Sequence, residues 1–320
     1  MASDNEPTHE FDPHLIQGQV QHPDQTDPHF GHLITAMVTP FTPDDKIDFD
    51  AFEALAVRLV DEGNDSLVVS GTTGETSTLE DHEKESLVRA AKSAVGDRAK
   101  VIAGTATNHT DHDLLMAKRA ERAGADGQLV VTPYYNKPSQ DGVFAHFTAV
   151  ANAADLPLMI YDIPGRTGIP IATETILKLA EHPHIMSLKD AKNDITATTE
   201  VLTKTDLEVY SGDDQNVLAW MAMGAAGVVS VTAHVASPTF RRMIDAVLNY
   251  ELREARIAHG ELGPVIRAMM TRVQGAVSCK QVLSWLGTGM HPGVRLPLVQ
   301  ANELEKQLII ADLREAGWQL

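Results

Sequence analysis

Eight short apolar runs, rich in β-branched residues, recur through the middle of the chain. They are Leu33–Val38, Ser66–Ser70, Lys100–Gly104, Gly127–Thr132, Pro157–Tyr161, Ile185–Lys189, Leu207–Ser211 and Gly227–Val231, at intervals of roughly 20 to 33 residues. Each is apolar on both faces, as parallel strands covered by helices are. Amphipathic segments lie between them. Phe52, Leu55, Ala56, Leu59 and Val60 share one helical face, as do Leu87, Val88, Ala91 and Val95, and again Phe144, Phe147 and Ala151. Asp48 is placed to cap the first helix, and Thr110 or Asp111 the third. Strand and helix alternating eight times leaves two α/β solutions, a closed (β/α)8 barrel and a doubly wound sheet. The even spacing favours the barrel. No Gly-x-Gly-x-x-Gly follows the first run, so a dinucleotide-binding sheet loses its main support.

The strand-like runs stop near residue 237. Segments 238–258, 261–273, 279–287 and 297–316 read as helices, with Leu304, Leu308 and Ala311 at helical spacing. Residues 1–31 are polar, hold no period and read as a mobile extension. Its histidines (His9, His14, His22 and His29) lack metal-ligand spacing. The expected organisation is an extension over 1–31, a barrel over 32–250 and a C-terminal helical domain over 251–320.

The formal net charge of -18 argues against nucleic acid and anionic membranes as partners, since both need basic surface. It leaves room for anionic small molecules, which need only a local positive site. No secretory leader is visible and no run reaches the length of a membrane span. A lone cysteine, Cys279, excludes an intrachain disulfide and fits a reducing, cytoplasmic compartment. It has no local catalytic signature and reads as a small buried residue.

In a (β/α)8 barrel, chemistry sits at the C-terminal ends of the strands. The second run ends in Gly71-Thr-Thr-Gly-Glu75 and the fourth in Thr132-Pro-Tyr-Tyr-Asn136. The fifth ends in Tyr161-Asp-Ile-Pro-Gly-Arg-Thr167, the sixth in Lys189, the seventh in Ser211-Gly-Asp-Asp214, and the eighth reaches Val229. Hydroxyls, a lysine and an arginine thus gather on one rim, which scattered surface polars would not do. A lysine at a buried strand tip suits Schiff-base formation, because burial lowers its pKa and frees the amine to attack a ketone. Tyr161, Tyr135 and Thr72 are candidate proton carriers. The Thr72-Thr73 turn offers amides and hydroxyls to a carboxylate at a helix start, and Arg166 offers a bidentate grip on a second one. The pattern suits an α-keto acid and an anionic electrophile. Other readings stay open residue by residue. Gly71 and Gly74 equally fit a plain tight turn, Tyr134 and Tyr135 fit packing beside Pro133, and Arg166 fits a pair with Asp162 or Asp190. Asp190, Asp213 and Asp214 hint at a divalent metal, but no set has ligand spacing, so neither metal nor cofactor is expected.

The motifs Gly71-Thr-Thr-Gly-Glu75, Tyr134-Tyr-Asn-Lys-Pro138, Tyr161-Asp-Ile-Pro-Gly-Arg-Thr167 and Lys189-Asp-Ala, in that order, resemble the dihydrodipicolinate synthase / N-acetylneuraminate lyase family of class I aldolases. The resemblance implies a (β/α)8 barrel with a C-terminal helical domain, assembled as a tetramer of paired dimers. It implies that Lys189 is the Schiff-base lysine for pyruvate and that Thr73 contacts the pyruvate carboxylate. Thr72, Tyr161 and Tyr135 match the hydroxyl relay, with Tyr135 serving the neighbouring subunit's site. Arg166 matches the arginine that holds the carboxylate of L-aspartate 4-semialdehyde, while Gly212 and Val229 match pocket-lining positions. The Gly-Arg-Thr after Tyr161 favours the synthase branch, which makes 4-hydroxy-tetrahydrodipicolinate at the head of diaminopimelate and lysine biosynthesis. Another keto-acid-dependent aldolase, lyase or dehydratase of the family is the alternative, and a non-catalytic keto-acid-binding barrel a more distant one.

Three departures from the family pattern stand out. Asp162 replaces a usual Asn, and Lys192 stands near a position that is often small. The third lies in the feedback site for lysine: Thr76, Asn108 and Tyr134 fit it, but Asp81 and Lys84 replace histidines, and His112 replaces a glutamate that would hold the inhibitor's amino group. A histidine cannot supply that carboxylate's charge, so weak or absent inhibition by lysine is expected.

Overall fold

The apolar runs become strands because both of their faces have somewhere to go. In the computed structural model, which describes residues 27–319, they form β1 (Leu33–Ala36), β2 (Ser66–Val69), β3 (Lys100–Gly104), β4 (Gly127–Val131), β5 (Leu158–Asp162), β6 (Ile185–Asp190), β7 (Glu208–Ser211) and β8 (Gly227–Ser230). All pair in parallel in chain order, and β8 closes on β1 through Ile34 opposite Val229. Alternation along each strand separates two cores. Ile34, Val68, Ile102, Leu129, Met159, Tyr161, Tyr210 and Val229 fill the barrel. Leu33, Leu67, Val101, Val130, Ile160, Leu188, Val209 and Val228 point outward into the helical layer.

That layer comprises α1 (Phe49–Asp61), α2 (Asp81–Val95), α3 (Thr110–Ala123), α4 (Gln140–Ala151), the short α5 (Pro164–Thr167), α6 (Thr173–Leu179), α7 (Ile195–Lys204), α8 (Val217–Ala222) and α9 (Ala233–Leu248). Asp48 caps α1 as expected, accepting from Ala51 N at 3.0 Å. Neither Thr110 nor Asp111 caps α3; His109 occupies the cap position without a side-chain bond. Asp113, one turn further, accepts from Thr107 N (2.8 Å) and its hydroxyl (2.7 Å), which ties the preceding loop to the helix without capping it. The buried faces of α1 and α2 are the expected ones. On α4 the buried stripe is Val143, His146, Phe147, Val150 and Ala151, which leaves Phe144 37% exposed.

Beyond the barrel lie α10 (Leu252–Met270), α11 (Gly275–Trp285) and α12 (Glu303–Glu315). The break expected between 258 and 261 is absent. α10 runs through Gly260, Gly263 and Pro264, and the chain turns instead at Tyr250, in the left-handed region with φ 61°. α11 begins earlier than expected, and α12 starts later, at a capping box of Asn302 and Glu305. The inward face of α12 is Ile309, Asp312 and Leu313, so Leu304, Leu308 and Ala311 lie on its exposed side, Leu304 at 65%. Asp312 is drawn inward by Arg267 (2.7 Å) and Arg272 (2.6 Å), and an aspartate that faces the packed side breaks the apolar period. Cys279 is buried and free, and burial pushes its thiol up.

The N-terminal mouth of the barrel is closed by residues assigned above to the extension. His9, His14 and His22 lie outside the described residues, but Phe30 is fully buried in the barrel interior. Its carbonyl accepts from Ser66 Oγ at 2.6 Å, and Glu208 accepts from His29 N at 2.5 Å and from the Tyr210 hydroxyl at 3.1 Å. An isolated aromatic flanked by polar residues carries no period, so its burial left no pattern to read. Among the described residues, no helix is long and apolar enough to cross a membrane.

Candidate active site

Lys189 is the register partner of Tyr161 on the neighbouring strand, and both side chains point into the barrel. Both are buried, and the Lys189 ammonium lies 4.1 Å from the centre of the Tyr161 ring. Burial is the main force that lowers the Lys189 pKa to about 8, and the Arg166 charge adds to it while Asp214 opposes. A sizeable neutral fraction therefore exists near pH 8, as amine attack requires. Burial pushes the Tyr161 hydroxyl up to about 12, which keeps it protonated and able to donate.

The two charges next to Lys189 in sequence do not act on it. Asp190 is turned by strand alternation to the outer face, where it accepts from Thr198 Oγ1 (2.5 Å), Lys192 N (2.8 Å) and Asn193 N (3.2 Å). Lys192 reaches the Ile171 carbonyl at 3.4 Å. The acid that does act on Lys189 is Asp214, buried after β7 and accepting from Thr232 N at 2.8 Å. In the sequence Asp214 suggested a role only beside Asp190 and Asp213, as part of a metal set. Asp213 is taken up by Asn193 (3.1 Å) and Asn216 (3.2 Å), and no group of His, Cys, Asp or Glu among the described residues is arranged to hold a metal ion.

The turn after β2 is bounded by two non-glycine residues in the left-handed region, Ser70 and Glu75, each with φ 58°. Within it Glu75 N donates to Thr72 O (3.1 Å) and Thr39 Oγ1 to Gly74 O (2.7 Å). Thr73 is buried and Thr72 exposed. The turn leads into a single 3-10 turn over Thr76–Thr78, with Glu75 at its cap position, and this short piece separates it from the start of α2 at Asp81.

Arg166 lies on α5, exposed, and neither Asp162 nor Asp190 pairs with it. The segment that carries it is tied down behind. Thr167 Oγ1 donates to Ile169 O (2.9 Å), Asp162 accepts from Ile171 N (3.2 Å), and Gln140 accepts from Ala172 N (2.8 Å). Gly212 N donates to Asp190 O at 2.7 Å, and a Cβ there would stand 2.9 Å from that of Ala191, so only glycine fits. Val229 is buried in the barrel interior. Tyr135 stands apart from these groups: it is 88% exposed, with φ 72°.

Asp81, Lys84 and His112 come together at the junction of α2 and α3. His112 Nε2 lies 3.0 Å from the Asp81 carboxylate, and Lys84 is buried, with its pKa lowered by burial against the pull of Asp81 and Asp113. Tyr134 is half-buried nearby, where burial and the Asp113 charge raise its pKa. The Asn108 carbonyl accepts from Asn136 at 2.9 Å, and Thr76 lies in the turn before α2.

One group on this rim left no motif in the sequence. Lys280 of α11 is fully buried against Glu75, in the middle of the otherwise uncharged stretch Ala276-Val-Ser-Cys-Lys-Gln-Val-Leu283. A charge embedded in such a stretch was the available signal.

Comparison with known proteins gives a consistent set of relatives. The model of the dihydrodipicolinate synthetase family matches residues 29–316. The 4-hydroxy-tetrahydrodipicolinate synthase of Kineococcus radiotolerans is 51% identical over 288 residues, covering 90% of this chain and 94% of that one. The 4-hydroxy-tetrahydrodipicolinate synthase 2 of Streptomyces coelicolor is 49% identical over 291 residues, covering 91% and 97%. Among solved structures, the lysine-bound DHDPS of Cyanidioschyzon merolae superposes with a TM-score of 0.88 at 38% identity, covering 91% of this chain and 99% of that one.

Proposed function

Because this chain belongs to the dihydrodipicolinate synthetase family, we propose that it condenses pyruvate with L-aspartate 4-semialdehyde to 4-hydroxy-tetrahydrodipicolinate, a lyase-class step at the head of diaminopimelate and lysine biosynthesis. The observation that carries the reading is Lys189, buried at the catalytic end of the barrel with its pKa lowered to about 8. The neutral amine adds to the pyruvate ketone, and water leaves to give an iminium. The iminium draws electrons from the adjacent carbon, a methyl proton leaves, and the enamine attacks the aldehyde carbon of the second substrate, whose own amine then adds to the regenerated iminium carbon, closing the ring and expelling the Lys189 amine. No cofactor is needed, since the iminium is itself the electron sink. Thr73 receives the pyruvate carboxylate, and Gly212 and Val229 line the pocket. Thr72 and Tyr161 relay protons together with a Tyr135 from a neighbouring copy, and Arg166 grips the carboxylate of the semialdehyde.

The exposure of Tyr135 supports a homo-oligomer, read here as a tetramer of paired dimers in the cytoplasm. The functional division is a barrel over 32–250 and a helical domain over 251–320. Asp81 and His112 already satisfy each other, which supports weak feedback by lysine. Half-inhibition at sub-millimolar lysine in a steady-state assay would sink that part.

Borohydride reduction in the presence of pyruvate, followed by intact-protein and peptide mass measurement, tests the core of the reading. A pyruvate-derived adduct on Lys189 is expected, and a folded protein without one overturns it. Arg166→Ala is expected to retain adduct formation while losing roughly 10²-fold in kcat/KM for the semialdehyde, the worth of two charge-assisted hydrogen bonds. Retention of full condensation would point to a different electrophile.

A further inference from the structure

Glu75 ends the turn that carries Thr72 and Thr73, and its backbone lies in the left-handed region that glutamate seldom visits. Such a conformation persists where the surroundings over-determine it. Here both carboxylate oxygens are engaged from distant parts of the chain. Oε1 accepts from the buried Lys280 ammonium on α11, and Oε2 accepts from Arg295 N at 2.9 Å. Lys280 also donates to Gly293 O at 2.9 Å and lies 4.1 Å from the centre of the Phe41 ring. The Arg295 guanidinium lies 4.4 Å from the same ring, donates to Thr78 O at 2.9 Å and pairs with Glu83 on α2 at 2.7 Å. The segment from the turn to the start of α2 is thus held at Glu75, Thr78 and Glu83 by residues of the C-terminal helical part.

A buried ion pair contributes little net stability, because desolvation offsets most of the attraction. What this one does supply is geometry. We propose that Glu75, Lys280 and Arg295 are positioning residues through which the C-terminal helices set the Thr72-Thr73 turn, and with it the grip on the keto-acid carboxylate. The proposal rests on Thr73 receiving that carboxylate. On this proposal all three act through the turn and not on the substrate itself.

The test uses the full-length protein with Thr73→Val, Lys280→Met and the double variant Glu75→Met/Lys280→Met. The double variant replaces both charges by apolar chains of similar length, an exchange that buried pairs tolerate. Thermal unfolding, steady-state kinetics in both substrates and borohydride trapping at varied pyruvate are measured for each. The double variant is expected to melt near the parent, with pyruvate KM raised about tenfold, the equivalent of one lost hydrogen bond to a charge, and KM for the semialdehyde little changed. A loss of fold integrity alone lowers the active fraction, hence kcat, without this selective rise. A folded double variant with unchanged pyruvate KM, or with both KM values raised equally, overturns the proposal. Should the double variant not fold, Glu75→Gln decides instead: the amide keeps the volume, pyruvate KM must still rise, and an unchanged value overturns it. If Thr73→Val leaves pyruvate KM untouched, the reading of the carboxylate site fails, and the proposal with it.

Discussion

Asp162 and Asp190 are register partners on β5 and β6, so two carboxyls lie side by side beneath the helical layer. Asp190 is surrounded by donors, whereas among the described residues Asp162 accepts from Ile171 N alone. Burial raises the Asp162 pKa to about 7, with the Asp190 charge adding to it and Lys192 opposing. A carboxyl raised in the folded state means that folding takes up a proton between the two pKa values. Its stabilising contribution is present below the unfolded value near 3.8 and is lost as pH rises through about 7. Asp162→Asn, which stays neutral and can still accept from Ile171 N, is therefore expected to be more stable than the parent at about pH 8, by on the order of 1–3 kcal/mol, with the gain shrinking toward pH 4. Urea unfolding at both pH values checks this, and a gain independent of pH would exclude the proton-linked cause. At this scale the positions of the candidate residues at the strand ends were legible in the sequence. The electrostatics were not: Asp190 adjoins Lys189 in the chain but faces the other way, while Asp214 acts on it from another strand end. Only the closed register reveals which charges meet.

The strands were readable nearly to the residue, because a parallel strand buried on both faces writes a continuous apolar run with a loop signal at each end. Helices wrote weaker signals. The break at Tyr250 has no glycine or proline to mark it, while Gly260, Gly263 and Pro264, which do mark breaks elsewhere, sit within α10. The turn after β2 also depends on a neighbouring element. Gly104 on β3 leaves room for the Ser70 carbonyl, and a Cβ at Gly104 would collide with that backbone oxygen. Gly104→Ala therefore has to push the start of the Thr72-Thr73 turn aside. The expected cost is about 1–3 kcal/mol of stability, the range for overpacking a tight site, together with weaker pyruvate binding. Denaturant unfolding and pyruvate-dependent kinetics check both, and a variant with parental pyruvate KM would show that the turn moves independently of β3.

The whole molecule has two unlike ends. The strand C-termini carry Lys189, Tyr161 and the turns around them, and the N-terminal mouth is filled by Phe30 with Glu208 and Tyr210 around it. Phe30→Ala is expected to cost about 3–5 kcal/mol, as removal of a buried phenyl ring does, while the KM for each substrate stays near the parent's because the loss is at the opposite end from the chemistry. Calorimetry with parallel kinetics separates the two effects, and a large rise in either KM would show the ends to be coupled. The pairing of Glu75 spans a similar reach along the chain: its partners lie 205 and 220 residues downstream. During synthesis, a ribosome that has released all eight strands has still not released Lys280 and Arg295. Until they emerge, the turn after β2 lacks the partners that hold Glu75 in the complete chain. A chain truncated short of Lys280 is therefore expected to lack the grip on the keto acid proposed above.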